Sequence, residues 1–179
     1  LHMELNEKGV HLSFSEALVR VEHNGGKANI VLASGKSISA DMVILSAGIK
    51  PNTELAKAAG LSLGRKGHII VDQMLTTNDP DIFALGDAVE VTNFITNQRC
   101  VAALAAPANK QGRIAAGNVL GSRIPYRGAQ MTSVAKVFSK TIAATGLTEK
   151  ALKADGKSLH KDYEVIVSHP NNFAGYYPG

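Results

Sequence analysis

The spacing of hydrophobic and polar positions changes along the chain, and each spacing predicts a different element. Leu1 and Leu5, followed by Gly9, are typical of the end of an amphipathic helix. Apolar runs that alternate or are continuous predict strands at residues 10–14, 18–23, 28–32, 42–45, 69–71, 82–85, 134–138, 141–145 and 163–168. Of these, residues 42–45 and 82–85 are continuous apolar runs, which are typical of strands buried on both faces.

Turn and cap residues set the limits of the predicted elements. Asn24-Gly25-Gly26 between two β-rich runs predicts a hairpin. Helices are predicted at residues 54–59 with Asn52 or Thr53 as the cap, from Ala106 or Pro107 to Leu120, and from the cap Thr148 to Ala154. This mixture of helices and strands predicts an α/β chain that begins within the second half of an α/β unit.

Length and ends place limits on what the chain is. With 179 residues it has room for one ordinary domain or for two smaller pieces. No apolar run approaches the roughly 20 residues of a membrane span, and the polar start predicts no signal peptide. The first residues have the pattern of the last turns of a helix, and the sequence ends at Tyr177-Pro178-Gly179 without a further predicted helix or strand. We therefore expect a fragment of a longer protein, with no membrane partner.

Charge and cysteine content exclude further classes. The net charge is +4, but the Lys and Arg residues are scattered, and aromatic residues make up only 5% with no Trp. A nucleic-acid surface usually clusters its cations and places aromatic residues among them, so we expect no nucleic-acid partner. A single cysteine, Cys100, cannot form a disulfide within the chain, which favours a cytoplasmic location. No metal site is predicted.

Two features have the form of a ligand site. The apolar run 82–85 is followed by Gly86 and Asp87, so Asp87 would lie at the carboxyl end of a predicted strand. In open α/β sheets, ligands bind at the carboxyl ends of the strands. Such a carboxylate suits a pair of neighbouring hydroxyl groups, although Asp87 capping the following turn is an equal alternative. The helix that starts near Pro107 offers free N–H groups to an anion, although close packing of an Ala-rich helix explains the same residues.

Ordered motifs then indicate a family. The stretches VILSAGIKPNTEL, TTNDPDIFALGDAVEV and LAAPANKQGRIAAGNVLG resemble the FAD-dependent pyridine nucleotide-disulfide oxidoreductases. The stretches SVAKVFSKTIAATGLTEKAL and AGYYPG resemble the branch that contains coenzyme A-disulfide reductases, NADH oxidases and persulfide reductases. The resemblance implies an α/β chain, α+β overall, with the end of a Rossmann-like NADH-binding domain at 1–47, the second segment of an FAD-binding domain at 48–123, and the start of an α+β dimerisation domain at 124–179. Ser46-Ala47-Gly48 would link the first two.

The same resemblance implies roles for single residues. Gly86 and Asp87 correspond to the motif whose aspartate holds the flavin ribityl chain. The helix start at Ala106, Pro107 and Ala108 resembles the one that points at the pyrimidine edge of the flavin.

Substrate contacts follow from the resemblance as well. Asn109 resembles the asparagine that approaches coenzyme A, or it is a solvated residue of the first helical turn. Tyr176 and Tyr177 resemble tyrosines that reach the active site of the other subunit, or they are interface aromatics.

The chain also departs from the family pattern at several points. Both glycine-rich dinucleotide loops and the redox cysteine lie before this stretch in the family, and residues 112–117 do not form such a loop. Cys100 matches no catalytic position, so we interpret it as a small buried hydrophobic residue. Phe173 stands where the family has a histidine.

The resemblance implies a fragment of an NAD(P)H-dependent, FAD-containing homodimer. Its substrate would be a small-molecule disulfide or persulfide, with coenzyme A disulfide as one candidate, or oxygen. We expect the isolated chain to be inactive. The alternative is that the chain, as it stands, is a non-catalytic folding and dimerisation module.

Overall fold

The computed structural model describes residues 1–169 and Tyr176, and packing divides the chain into two compact units, Leu1–Ala144 and Thr145–Gly179. The helices are α1 (His2–Glu7), α2 (Glu54–Ala58), α3 (Ala105–Val119) and α4 (Glu149–Ala154). The strands are β1 (Leu18–Asn24), β2 (Lys27–Leu32), β3 (Ser37–Ala40), β4 (Ile69–Ile70), β5 (Val89–Thr92), β6 (Arg99–Val101), β7 (Ser133–Val137) and β8 (Lys140–Ala144). None of the helices in these residues is long and apolar enough to cross a bilayer.

The first sheet is the predicted meander. β1 pairs antiparallel with β2, and β2 pairs antiparallel with β3. The turn between β1 and β2 has two residues with positive φ, Gly25 at 58° and Gly26 at 86°. A two-residue hairpin turn of this kind needs residues that tolerate positive φ at both positions, which explains the Gly-Gly pair. The predicted hairpin is confirmed.

The second sheet and α3 enclose the hydrophobic core. β4 pairs parallel with β5, and β5 pairs antiparallel with β6. Val89 and Val91 of β5 are 1% and 3% exposed, because alternate residues of a strand point to the same face of the sheet. The buried core residues are Val71, Leu75, Val89, Val91, Ala102, Ala115, Tyr126 and Ala129. The core therefore belongs to residues 71–129.

A tight loop inserts Leu75 into this core. The Asp72 carboxylate accepts hydrogen bonds from the backbone N–H groups of Met74 and Thr76, at 2.8 and 2.9 Å. Leu75 has a φ of 65° and is 0% exposed. Positive φ is unfavourable for a residue with a β-carbon, so burial of the Leu75 side chain and the Asp72 hydrogen bonds offset a local cost.

Two predicted buried strands are absent from the part of the chain that the structure describes. Residues 82–85 make a single antiparallel bridge, between Thr76 and Phe83, and Leu85 is 40% exposed. Residues 42–45 form no strand, and Ile44 is 82% exposed. A continuous apolar run forms a buried strand only where strands on both sides pair with it. Among the described residues, residues 82–85 have only the bridge to Thr76, and residues 42–45 have no paired strand.

Two further strand predictions are wrong. Residues 10–14 form no regular element, and residues 163–168 make only one bridge, between Leu159 and Tyr163. Ile166 is 92% exposed, so no packing replaces the missing pairing. By contrast, the hairpin predicted at 134–138 and 141–145 is confirmed as β7 and β8.

Helix starts match the sequence more closely. In the second unit, Thr148 caps α4 because its hydroxyl accepts from Ala151 N–H at 3.2 Å. Thr53 precedes α2 as predicted, but its hydroxyl donates to Gly67 carbonyl oxygen at 2.7 Å and makes no cap. α3 begins at Ala105, one residue before the prediction. Pro107 is tolerated at its third position because the first-turn N–H groups lack intrahelical acceptors.

Candidate functional site

Asp87 lies at a sharp change of backbone direction. Leu85 is extended, Gly86 has a φ of 80°, and residues Gly86–Ala88 form one 3-10 turn. The positive φ is the reason for glycine at this position. Asp87 is exposed, and its carboxylate accepts no hydrogen bond and forms no ion pair within residues 1–169 and Tyr176. The turn-cap interpretation of Asp87 therefore has no hydrogen bond to support it.

Gln111 ties this turn to α3. Its Oε1 accepts from Gly86 N–H at 2.7 Å, and the Gln111 side chain is 1% exposed. Buried polar atoms that are hydrogen-bonded fix the position of what they bond, so this contact sets the turn before Asp87 beside the helix. Gln111 is not among the site residues predicted from the sequence. The available signal was its spacing of four residues from Ala115, which is also buried and lies on the same helix face.

The start of α3 presents free N–H groups. Leu104, the residue before the helix, has an extended backbone conformation. The first helical hydrogen bond runs from Ala108 N–H to the Leu104 carbonyl oxygen, at 3.1 Å. Ala105 and Ala106 are exposed, and their N–H groups have no acceptor among the described residues. A helix of 15 residues carries about half an elementary positive charge at this end. The start of α3 is therefore an anion-attracting surface without steric obstruction.

A cavity of about 420 Å³ opens at this end of α3. It is lined by Ala106, Pro107, Lys110, Phe94, Tyr126, Arg127, Gly128, Ala129, Gln130, Met131 and Thr132. Burial raises the pKa of the Tyr126 phenol, and the neighbouring Gln111 side chain partly offsets this. Asp87 and Asn109 do not line this cavity. The structure thus brings the predicted residues Ala106 and Pro107 to a cavity, and it leaves Asp87 outside the lining of that cavity.

The remaining predicted residues lie apart. Asn109 is exposed in the first turns of α3, and Tyr176 is 83% exposed in the second unit. Tyr177 and Phe173 lie outside the described residues. The described part of the chain contains no group of three or more His, Cys, Asp or Glu side chains placed to hold a metal ion.

Cys100 has the character of a structural thiol. It is half-buried on β6 and packs against the core. Burial raises the pKa of the Cys100 thiol, Glu90 adds to the effect, and Arg99 opposes it. A thiol with a raised pKa is a poor nucleophile, which agrees with the interpretation of Cys100 as a small hydrophobic residue.

Comparison with known proteins identifies the family. A family profile described as "Pyridine nucleotide-disulphide oxidoreductase" matches residues 1–112, which is more than half of the chain. The chain belongs to this family. The resemblance drawn from the motifs is confirmed.

Curated relatives fall in the expected branch. The chain is 34% identical over 170 residues to the NAD(P)H sulfur oxidoreductase (CoA-dependent) of Pyrococcus abyssi, covering 95% of this chain and 37% of the relative. It is 30% identical over 177 residues to the coenzyme A disulfide reductase of Staphylococcus epidermidis, covering 98% and 38%. It is 33% identical over 177 residues to the NADH oxidase of Methanocaldococcus jannaschii, with the same coverage of 98% and 38%. The chain spans less than two fifths of these relatives.

Solved structures agree on the fold. The reduced CoADR-RHD of Bacillus anthracis superposes with a TM-score of 0.81 at 43% identity, covering 88% of this chain and 28% of that one. The NAD-dependent persulfide reductase of A. fulgidus superposes with a TM-score of 0.80 at 40% identity, covering 86% and 28%. These similarities confirm the predicted fold class, α/β with Rossmann-like parts.

Proposed function

We propose that this chain is a piece of an NAD(P)H-dependent flavoenzyme that reduces a disulfide, a persulfide or oxygen. Within it, Gly86, Asp87 and the start of α3 at Ala106, Pro107 and Ala108 contact FAD. The redox cysteine and the glycine-rich dinucleotide loops lie outside this chain. The observation that carries the proposal is the exposed, unpartnered carboxylate of Asp87, which the Gly86–Gln111 hydrogen bond fixes beside α3.

Asp87 fits the polyhydroxylated part of FAD. A carboxylate held on a rigid turn accepts two charge-assisted hydrogen bonds from neighbouring hydroxyl groups. A cap or a surface ion pair would occupy the same oxygens, but neither is present at Asp87 within the described residues. The space beside Gly86 is open as well, because nothing lies within 4 Å of the position that a β-carbon would take there.

The start of α3 fits the electron-rich edge of the flavin ring. When bound, FAD supplies electron transfer between NAD(P)H and the second substrate. The free N–H groups of Ala105 and Ala106 and the positive end of α3 favour negative charge on that edge. The small side chains at these two positions permit close approach of a planar ring.

The substrate assignment rests on the relatives. The names of those relatives include a coenzyme A disulfide reductase, a CoA-dependent sulfur oxidoreductase and an NADH oxidase. A small-molecule disulfide or persulfide, with coenzyme A disulfide as one candidate, is therefore the proposed substrate class, and oxygen is the other acceptor. Asn109, exposed near the start of α3, is the proposed substrate contact in this chain.

Other features of the complete protein stay predictions. These are the domain limits at 1–47, 48–123 and 124–179, the homodimer, the cytoplasmic location, and the roles of Tyr176 and Tyr177. No comparison favours the alternative of a non-catalytic folding and dimerisation module.

FAD retention tests the proposal. In the complete protein that contains this chain, Asp87→Ala removes charge-assisted hydrogen bonds worth about 1.5–3 kcal/mol. We expect the FAD dissociation constant to rise roughly tenfold to 150-fold. Asp87→Asn keeps the shape of the side chain without its charge, so its effect should be smaller. The measurement is flavin content by visible absorbance together with the dissociation constant of FAD.

Asp81→Ala is the matched control, because Asp81 is an exposed carboxylate of the same loop whose side chain makes no hydrogen bond among the described residues. We expect it to retain FAD normally. Equal FAD retention by the wild type, Asp87→Ala and Asp81→Ala would rule out Asp87 as a flavin contact. NADH-dependent turnover of a disulfide by the isolated chain would contradict the placement of the redox cysteine outside it.

A further inference from the structure

A second cavity, of about 580 Å³, is lined by residues of β4, β5 and β6 and of the segment before β4. Its lining is Leu63, Gly64, Arg65, Lys66, Ile70, Glu90, Arg99, Cys100 and Val101. It shares no lining residue with the cavity at the start of α3. Its volume falls within the range of about 300–1,000 Å³ that is usual for small-molecule sites.

A turn places two adjacent cations over this cavity. Gly67 N–H bonds to Gly64 carbonyl oxygen at 2.9 Å, and Gly64 N–H bonds to His68 carbonyl oxygen at 2.8 Å. These bonds close a turn whose two central residues are Arg65 and Lys66. Both side chains are exposed and line the cavity, and neither forms an ion pair within the described residues. The two cations are therefore available to a ligand.

The other charges of the lining are already paired. Arg99 Nη1 donates to Val71 carbonyl oxygen at 2.8 Å, and Arg99 Nε lies 3.5 Å from Glu90 Oε1. The Glu90 carboxylate also packs against Gly64, where a β-carbon would collide with it. Because Glu90 is held against Arg99, it only partly offsets the positive charge, and the cavity keeps an excess of two cations from Arg65 and Lys66.

The rest of the lining is apolar. Leu63, Ile70 and Val101 contribute aliphatic side chains. An aliphatic surface beside two unpaired cations matches a ligand with a phosphate group at one end and a ring system at the other. Arg and Lys are the side chains that bind phosphate most readily.

We propose that this cavity binds a phosphorylated ligand of nucleotide size. Its phosphates contact Arg65 and Lys66, and its ring system lies against Leu63, Ile70 and Val101. This assignment does not depend on the proposed flavin contacts, since it concerns a different cavity and different residues. It also assigns a role to the Arg65-Lys66 pair, which the proposed redox function leaves unused.

Direct binding supplies the assay. The probe is ADP, titrated into the 179-residue chain, and binding is followed by isothermal titration calorimetry. We expect saturable binding of ADP. Inorganic pyrophosphate should bind more weakly because it lacks the ring system.

Variants locate the effect. Arg65→Glu with Lys66→Glu should raise the apparent dissociation constant of ADP by about tenfold or more, since two charge-assisted contacts are lost. If this double variant fails to fold, as judged by circular dichroism, Arg65→Gln with Lys66→Gln takes its place and should weaken ADP binding in the same direction. Lys110→Glu with Arg127→Glu, in the other cavity, is the matched control and should leave ADP binding unchanged. Asp87→Ala should also leave it unchanged.

Three results would overturn the inference. They are the absence of ADP binding, ADP binding that the Arg65 and Lys66 variants leave intact, and pyrophosphate binding as tight as that of ADP. Normal ADP binding alongside normal FAD retention in Asp87→Ala would contradict the flavin proposal only. Absence of ADP binding together with the expected FAD defect would contradict this inference only.

Discussion

Residues 71–129 and residues 42–49 contain apolar side chains of the same kinds, yet the structure buries the first and exposes the second. Leu75 and Val89 are 0% and 1% exposed, whereas Met42 and Ile44 are 76% and 82% exposed. Hydrophobicity alone does not separate them. The difference lies in pairing, because β5 has a strand on each side and residues 42–45 have none within the described residues.

The contribution of an apolar side chain to stability depends on whether other elements cover it. An apolar side chain contributes about 25 cal/mol for each Å² removed from water, and it contributes this only when a partner covers it. In residues 71–129, the sheet, the Asp72 loop and α3 supply that cover. Stability and the candidate site are therefore expected to depend on the packed region, with little dependence on the exposed one.

The largest effect is expected from Leu75→Ala. Leu75 is 0% exposed, so its truncation removes packing and leaves a cavity that costs about 2–5 kcal/mol of the free energy of unfolding. Leu55→Ala on α2 is the control, because Leu55 is 86% exposed. Urea unfolding measures both. Equal losses in the two variants would mean that burial does not distinguish the two regions.

A smaller effect is expected from Gln111→Ala. The change leaves Gly86 N–H without its acceptor, which costs about 1–3 kcal/mol and loosens the turn before Asp87. Faster hydrogen exchange of the Gly86 amide would report the loosening directly. Gln98→Ala is the control, since Gln98 is exposed in the hairpin loop and its side chain bonds to nothing among the described residues. Unchanged exchange at Gly86 in Gln111→Ala would contradict the role of Gln111.

Local chemistry made several elements predictable. The Gly25-Gly26 turn and the Thr148 cap depend on a few neighbouring residues, and both occur as predicted. The start of α3 was placed to within one residue because Pro107 tolerates only the first turn. The family motifs also indicated the fold class correctly, since they were several and in order.

Long-range contacts were not predictable. The strand expected at residues 82–85 depends on neighbours that the sequence pattern cannot supply, and it makes one bridge only. Gln111 bonds to a residue 25 positions away, and no local pattern identifies that partner. Thr53 stands at the cap position, but its hydroxyl donates to the Gly67 carbonyl oxygen instead of capping the helix. The partner of a side-chain hydroxyl depends on every polar group within hydrogen-bonding distance, including groups distant in sequence.

A contact outside the core should depend on pH. Ser139 N–H and hydroxyl bond to Glu4 at 3.1 and 2.8 Å, and these bonds lower the pKa of Glu4 from its ordinary value of 4.5 against the effect of burial, with help from Lys140 and Lys8. A lowered pKa in the folded state means that the stabilisation is present above about pH 4.5 and is lost as the pH falls through the lowered value.

Glu4→Gln should therefore reduce the pH dependence of the urea midpoint between pH 7 and the acid range. Glu7→Gln, also on α1 and exposed, is the control and should leave that dependence unchanged. An identical acid profile for the wild type and Glu4→Gln would mean that the contact with Ser139 contributes nothing to stability.

The smallest effect on stability is expected from Ile44→Ser. Ile44 is 82% exposed, and substitutions at such positions usually change the free energy of unfolding by less than about 0.5 kcal/mol. The same change removes an apolar side chain from a surface that also exposes Met42, Leu45 and Ile49, so it should slow aggregation of the chain. Urea unfolding and light scattering of concentrated samples measure the two properties separately. A loss of stability comparable to that of Leu75→Ala would mean that residues 42–49 are packed in solution, and the contrast between the two regions would fail.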